Sequence, residues 1–243
     1  MTTATALDDR TAVVTGASSG IGAAVARELA ARGARVALLA RRRDRLEALR
    51  EELGGTAVAA DVTDEAAVAA AADEIGPVDI VVNAAGVLVP GFLEGGDTAA
   101  WRRQVEVNLL GLLHVSRAFV PGLVAAAGRG RPADLVNVSS VAASQVEPGA
   151  AVYAATKAAV SHLSRNLRAE LAPRNVRVTS VEPGMVLSEL RAGSELALAW
   201  EEQMKAAIDP LAAADVAEVV AFVVGRPRHV SLPSLTVSPT RQV

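Results

Sequence analysis

The 243-residue chain is predicted to fold as an α/β protein, a doubly wound parallel sheet of about seven strands with helices on both faces. Three observations lead there. Short apolar runs rich in Val and Leu alternate throughout with Ala-rich stretches of helical length. A glycine-rich turn, Gly16-Ala17-Ser18-Ser19-Gly20-Ile21-Gly22, joins the first such run to the first such stretch. Most of the motifs that could carry chemistry fall just after a predicted strand, which is where ligands bind in open α/β sheets.

The elements follow in order. Thr11–Thr15 reads as a buried strand, and 23–32 reads as a helix closed by Gly33. Arg35–Ala40 is the second strand, 44–53 a helix, and 56–60 the third strand. Thr63 or Asp64 caps a helix that runs to Ile75. Strand four is 80–82. Asp97 then caps a long helical region to about Ala127, with Asn108 inside an otherwise apolar pattern. Gly128 to Pro132 form a turn that lengthens the interval between Asn108 and Ser140. Ala133–Val138 is strand five and 150–171 a helix; 176–181 is strand six, broken by Pro183-Gly184. Helices over 187–207 and 212–224 and a short strand over 233–237 complete the pattern. No linker, repeat or low-complexity tail divides the chain, so 1–243 is expected to be one domain.

Composition closes off several functions. With no cysteine, disulfides, thiolate catalysis and Cys-ligated metal are excluded. His114, His162 and His229 are scattered, and no metal site is expected. A formal net charge of −3 gives no reason to expect nucleic acid or an anionic membrane as partner. No run approaches the ~18 uninterrupted apolar residues of a membrane span, and the opening residues lack the pattern of a secretory signal. The expected location is the cytoplasm.

The glycine turn has the strand-before, helix-after context of a dinucleotide-binding loop. Glycines let the backbone turn sharply and let a pyrophosphate approach, and the helix N-terminus offers free N–H groups. The end of strand two is where such folds meet the adenosine ribose. An Asp or Glu there would hold the ribose hydroxyls, but this chain has Arg41-Arg42-Arg43 instead. Arg41 and Arg42 suit a 2′-phosphate, whereas Arg43 reads as an ordinary start to the next helix. Asp61-Val62 ends strand three, where a carboxylate could meet the adenine amine.

Tyr153 is the only tyrosine and lies four residues before Lys157 on a predicted helix, so the two side chains leave the same face. An ammonium beside a phenol favours phenolate and tunes the pair for proton transfer near neutral pH. Ser139 and Ser140 end strand five, and a hydroxyl there could reach the substrate atom that the phenol protonates. Taken alone, each motif has a bland alternative as ordinary helix or turn sequence.

Taken in register, these residues resemble the short-chain dehydrogenase/reductase family over essentially the whole chain. Thr15 to Gly22 match its TGxxxGIG loop. Asn83-Ala84-Ala85-Gly86 matches NNAG with Ala84 for the second Asn, and the segment Pro183 to Ser188 matches PGxVxT with Ser188 for Thr. Asn108, Ser140, Tyr153 and Lys157 match its catalytic tetrad in order. The tail is similar to the clavulanate-dehydrogenase-like and small 3-hydroxy-acid dehydrogenase subgroup. The resemblance implies a Rossmann-type fold with NADP(H) as cofactor. It implies that Gly16, Ser18, Ser19, Gly20, Ile21, Gly22, Asn83, Ala84, Gly86, Pro183, Gly184, Val186 and Ser188 bind that cofactor, together with Tyr153 and Lys157. Tyr153 is the implied acid/base, Lys157 the ribose holder, Ser140 the group that polarises the carbonyl, and Asn108 the holder of a helix bend and a proton-relaying water. The implied partners are a small carbonyl or alcohol substrate and further copies of the chain, as a homotetramer. Residues 187–207 are the expected substrate lid.

Three readings compete: a carbonyl reductase using NADPH, a dehydrogenase of a small hydroxy acid or β-ketoacyl reductase, and a cofactor-binding protein without catalysis. The intact tetrad argues against the last.

Overall fold

The computed structural model describes residues 7–187, 189–191, 202 and 207–242. Its strands are β1 (Thr11–Thr15), β2 (Arg35–Ala40), β3 (Thr56–Ala59), β4 (Ile80–Asn83), β5 (Ala133–Val138), β6 (Val176–Pro183) and β7 (Ser234–Val237). They form one sheet in the order β3-β2-β1-β4-β5-β6-β7, and every neighbouring pair is parallel. The order reverses between β1 and β4, and parallel strands leave both flanking loops at the same edge. That creates a crevice at the carboxyl end of the sheet.

Alternation along each strand divides the core. Ala12, Val14, Ile80 and Val82 face one side, where they meet Val25 and Leu29 of α1 (Gly20–Ala31) and Val216 and Val220 of α7 (Ala213–Val224). Val13 and Val81 face the other side, against Val68 of α3 (Glu65–Ile75) and Val115, Phe119 and Leu123 of α5 (Leu112–Gly128). Buried Ala23 and Ala26 on α1 and Ala217 and Ala221 on α7 show why the chain is rich in small residues. They let these helices approach closely. The remaining helices are α2 (Arg43–Leu53), α4 (Thr98–Val105) and α6 (Ala151–Leu171).

Several boundaries differ from the sequence reading. Helix α1 begins at Gly20 rather than 23, so the second and third glycines belong to its first turn. Strand β4 runs on to Asn83 and β6 to Pro183. The long helix after Asp97 contains a π-helical stretch, Glu106–Gly111, between α4 and α5. The predicted helix and lid over 187–207 lie mostly outside the described residues; within that span Glu189–Arg191 forms a single 3-10 turn.

Residues Thr98–Gly128 are long and apolar enough, by length and composition, to cross a membrane. In the fold their inner face is core, with Leu112, Val115, Phe119, Leu123 and Ala126 buried under the sheet.

The opposite edge of the sheet is held by buried charge that sequence patterning does not reveal. Asp134 accepts two hydrogen bonds from Arg177, at 2.7 and 2.8 Å, and one from Arg10 at 2.5 Å. Arg177 also donates to the carbonyls of Val224, Arg226, Pro227 and Val230, which anchors the chain after α7. Buried ions are tolerated when they are this fully hydrogen-bonded.

Candidate active site

A cleft of about 640 Å³ lies over the crevice, at the carboxyl ends of β1 to β4. One wall is the glycine turn. Gly16 has φ of +67°, and a Cβ there would stand 2.9 Å from the Ala84 carbonyl oxygen and the Ala85 nitrogen. At Gly22 a Cβ would come within 2.4 Å of the Gly16 carbonyl oxygen. Only glycine permits this packing, and it leaves bare backbone facing the cleft. Thr15 Oγ1 ties the two turns together by accepting from the N–H groups of Ala84 and Ala85, at 3.0 and 3.1 Å.

Of the residues predicted to bind cofactor, Gly16, Ser18, Ser19, Gly20, Ile21, Gly22, Arg41, Arg42, Asp61, Val62, Ala84 and Gly86 all line this cleft. The two arginines behave differently. Arg42 donates to Ser18 Oγ from Nε (3.1 Å) and Nη2 (2.9 Å), and from Nη2 to Ser19 Oγ at 2.6 Å. Arg41 turns away toward Asp61, at 3.8 Å. The Asp61 carboxylate also accepts from the N–H and hydroxyl of Thr63, at 3.0 and 2.9 Å.

Asn83 ends β4 and is not among the residues that line this cleft. Its side chain is buried and donates to Ser116 Oγ and Asn137 Oδ1, so it braces β4 against β5 and α5. Pro183, Gly184 and Val186 lie past the cleft lining. There the C-terminal tail closes over them: Gln242 Oε1 accepts from the Met185 N–H at 2.8 Å, and Val186 pairs with Leu211. Ser188 lies outside the described residues.

Asn108 and Lys157 meet behind Gly86 of the cleft wall, with Tyr153 beside Lys157, and none of Asn108, Ser140, Tyr153 and Lys157 itself lines the cleft. Tyr153 is buried in a small apolar cluster with Leu88 and Ala142, and Leu190 packs against it. Lys157 Nζ lies 5.7 Å from the centre of the Tyr153 ring and donates to the Val138 carbonyl at 2.9 Å. Burial pushes the Lys157 pKa down to about 8, because removing an ammonium from water disfavours its charged form. A Cβ on Gly86 would stand 3.5 Å from Asn108 Oδ1 and 3.7 Å from Lys157 Nζ, so the two groups meet across this glycine.

Asn108 sits in the π-helical stretch, and its buried amide is fully engaged. Oδ1 accepts from the Val87 N–H at 2.8 Å; Nδ2 donates to the Val87 carbonyl at 2.9 Å and to Thr156 Oγ1 at 3.1 Å. One turn earlier, Gln104 Oε1 accepts from the Val89 N–H at 3.2 Å. Together they lace the loop after β4 onto this helix. Ser140 caps a short turn by accepting from the Ala142 N–H at 3.2 Å. Ser139 instead faces inward, bonded to the Lys157 carbonyl (2.9 Å) and to Ser161 Oγ (2.8 Å). Ser161 continues to Glu182 Oε1 at 2.8 Å.

Sequence reasoning did not single out Gln104, Thr156, Ser161 or Glu182. A polar side chain at a core-facing helix position is the signal that flags Gln104 and Ser161, as it flags Asn108. No local pattern marks the others.

A phosphate-bearing dinucleotide fits this cleft. Bare glycine backbone and the start of α1 would suit a pyrophosphate, and Arg42, Ser18 and Ser19 would offer donors to an adenosine ribose or its phosphate. The fold and site therefore define a dinucleotide-dependent oxidoreductase. The short chain dehydrogenase family profile matches residues 10–198. An uncharacterised oxidoreductase of Mycobacterium tuberculosis is 46% identical over 241 residues, covering 96% of this chain and 92% of its own. A sulfoacetaldehyde reductase of Chromohalobacter salexigens is 38% identical over 241 residues, covering 94% and 93%. Among solved structures, a 3-ketoacyl-(acyl-carrier-protein) reductase from Brucella melitensis complexed with NADH superimposes with a TM-score of 0.87 at 30% identity, covering 98% of this chain and 100% of its own. The closed form of serine dehydrogenase complexed with NADP+ gives 0.85 at 32%, covering 93% and 94%. The chain belongs to the short-chain dehydrogenase/reductase family and is an oxidoreductase of that family.

Proposed function

We propose that the protein is an NADPH-dependent reductase that converts an aldehyde or ketone of a small metabolite to an alcohol, with Tyr153 as general acid/base. The observation that carries this reading is the Arg42 guanidinium fixed over Ser18 and Ser19 at the cleft rim, where β2 ends in Ala40 with no carboxylate. The bound cofactor supplies the hydride that reaches the carbonyl carbon. Tyr153 gives its phenolic proton to the carbonyl oxygen, and takes it back when the alcohol is oxidised. The Lys157 charge favours the phenolate that remains. Ser140 donates its hydroxyl hydrogen to the carbonyl oxygen and polarises it. Asn108 holds Val87, and through Thr156 the Tyr153 turn, so that Gly86 stays open between them.

The likeness to sulfoacetaldehyde reductase supports the reductive direction, and the likeness to serine dehydrogenase favours a second reading, NADP-dependent oxidation of a small hydroxy acid. The single seven-stranded sheet supports reading 1–243 as one domain, and a cytoplasmic location is part of the same proposal. Assembly is proposed as a homotetramer of dihedral symmetry; light scattering at micromolar concentration should return four times the chain mass.

The test of the central reading is kcat/KM with NADPH and NADH in the wild type and Arg42→Ala. A charge-assisted hydrogen bond contributes about 1.5–3 kcal/mol, so the wild type should prefer NADPH about 10- to 100-fold, and Arg42→Ala should lose most of that. Equal efficiency with both cofactors in the wild type would remove the cofactor assignment and the argument for direction.

A further inference from the structure

The residues that would select a phosphorylated cofactor already hold a carboxylate. Glu189 lies in the Glu189–Arg191 turn and lines the cleft together with Leu190. Its Oε2 accepts from Arg42 Nη1 at 2.8 Å, and both of its oxygens accept from Arg45 Nη1 at 2.8 Å. Arg42 places its remaining donors on Ser18 and Ser19. One guanidinium thus joins the glycine turn to the opposite rim through Glu189. Hydrogen bonds from Arg42 and then Arg45 hold the Glu189 carboxyl below the usual carboxylate range. A phosphate monoester offers three acceptor oxygens and nearly twice the charge to the same fork.

We propose that Glu189 is a specificity-determining residue: its carboxylate fills the Arg42–Arg45 fork that a cofactor's 2′-phosphate would take. A 2′-phosphorylated cofactor exchanges with Glu189, whereas one with a free 2′-hydroxyl leaves the ion pairs in place. The inference rests on the NADP reading of Arg42 and adds to it an internal competitor and a second arginine, Arg45. It also connects the two ends of the cleft. Leu190, next in the chain, packs on the cluster that contains Tyr153, so the exchange acts directly beside the proton donor.

The test is calorimetric titration of wild type and Glu189→Gln with 2′,5′-ADP and with 5′-AMP. Glu189 is half exposed, so its pairs are screened and the effect is modest. Glu189→Gln should bind 2′,5′-ADP about 3- to 10-fold more tightly, with 5′-AMP unchanged and the gain shrinking in high salt. No gain, an equal gain for both ligands, or weaker 2′,5′-ADP binding would overturn the inference. The wild-type ratio reports separately on the underlying reading. A wild-type preference for 2′,5′-ADP with no gain in Glu189→Gln sinks the inference alone; no preference in either protein sinks both.

Discussion

The two ends of the cleft are built on opposite electrostatic plans. At the catalytic end the polar groups are buried, and the protein itself engages them: Lys157 with Val138, Asn108 with Val87 and Thr156, Ser139 with Ser161 and the Lys157 carbonyl. At the Arg42 end, Arg42, Arg45 and Glu189 are each about half exposed, and among the described residues their side-chain bonds run between Glu189 and the two arginines and from Arg42 to two serines. Buried groups cannot change partners without large desolvation costs, so on the proposed reading the Tyr153 end is fixed before substrate arrives. Exposed groups exchange partners cheaply, so on the proposed reading the Arg42 end discriminates between ligands by charge. Perturbing the first end should change rate and stability; perturbing the second should change ligand preference.

The largest expected effect tests the fixed end. Tyr153→Phe removes only the transferable proton and should lower kcat about 10²- to 10⁴-fold while leaving cofactor affinity near wild type. A variant that kept near-normal turnover would place the proton donor elsewhere.

Lys157 gives a pH test of the same end. Its pKa falls from 10.5 to about 8 on folding, so the folded state disfavours its charged form. That penalty is fully present below about pH 8 and is relieved as pH rises toward 10.5, worth up to ~3 kcal/mol. Denaturant unfolding should therefore show wild type gaining on Lys157→Met across that window. A flat difference would mean that Lys157 is hydrated in solution. The same variant should lose both turnover and cofactor affinity.

The ribose end should give the smaller effects, about 10- to 100-fold for Arg42→Ala and less for Glu189→Gln. These should fade with salt, whereas the Tyr153→Phe loss should not. Arg41→Ala sharpens the contrast. Arg41 sits beside Asp61 rather than the serines, so its removal should cost less NADPH preference than removal of Arg42.

Much of the scaffold was legible in advance. The run Thr11–Thr15, the glycine turn and Arg35–Ala40 carry their structure in local periodicity and backbone freedom, and β1 and β2 have the expected bounds. Helix α1 started early because glycines that serve a ligand loop also fit a first helical turn. The π-helical stretch around Asn108 was not legible as such; a buried Asn announces an irregularity, but only its contacts with Val87 and Thr156 show what it holds.

By itself the sequence determined that strands alternate with helices and that the glycine turn, Arg41-Arg42, Asp61-Val62 and Ser139-Ser140 follow strand ends. Both follow from spacing along the chain, and the comb of apolar and small residues encodes that spacing directly. Only the tertiary structure decided which of two adjacent arginines meets Ser18 and Ser19, that Glu189 reaches Arg42 from 147 positions away, and that Asp134 gathers Arg10 and Arg177. Those pairings depend on which strand edges the crossovers bring together. Side chains one residue apart leave the backbone in different directions, so identity and spacing alone could not distinguish Arg41 from Arg42.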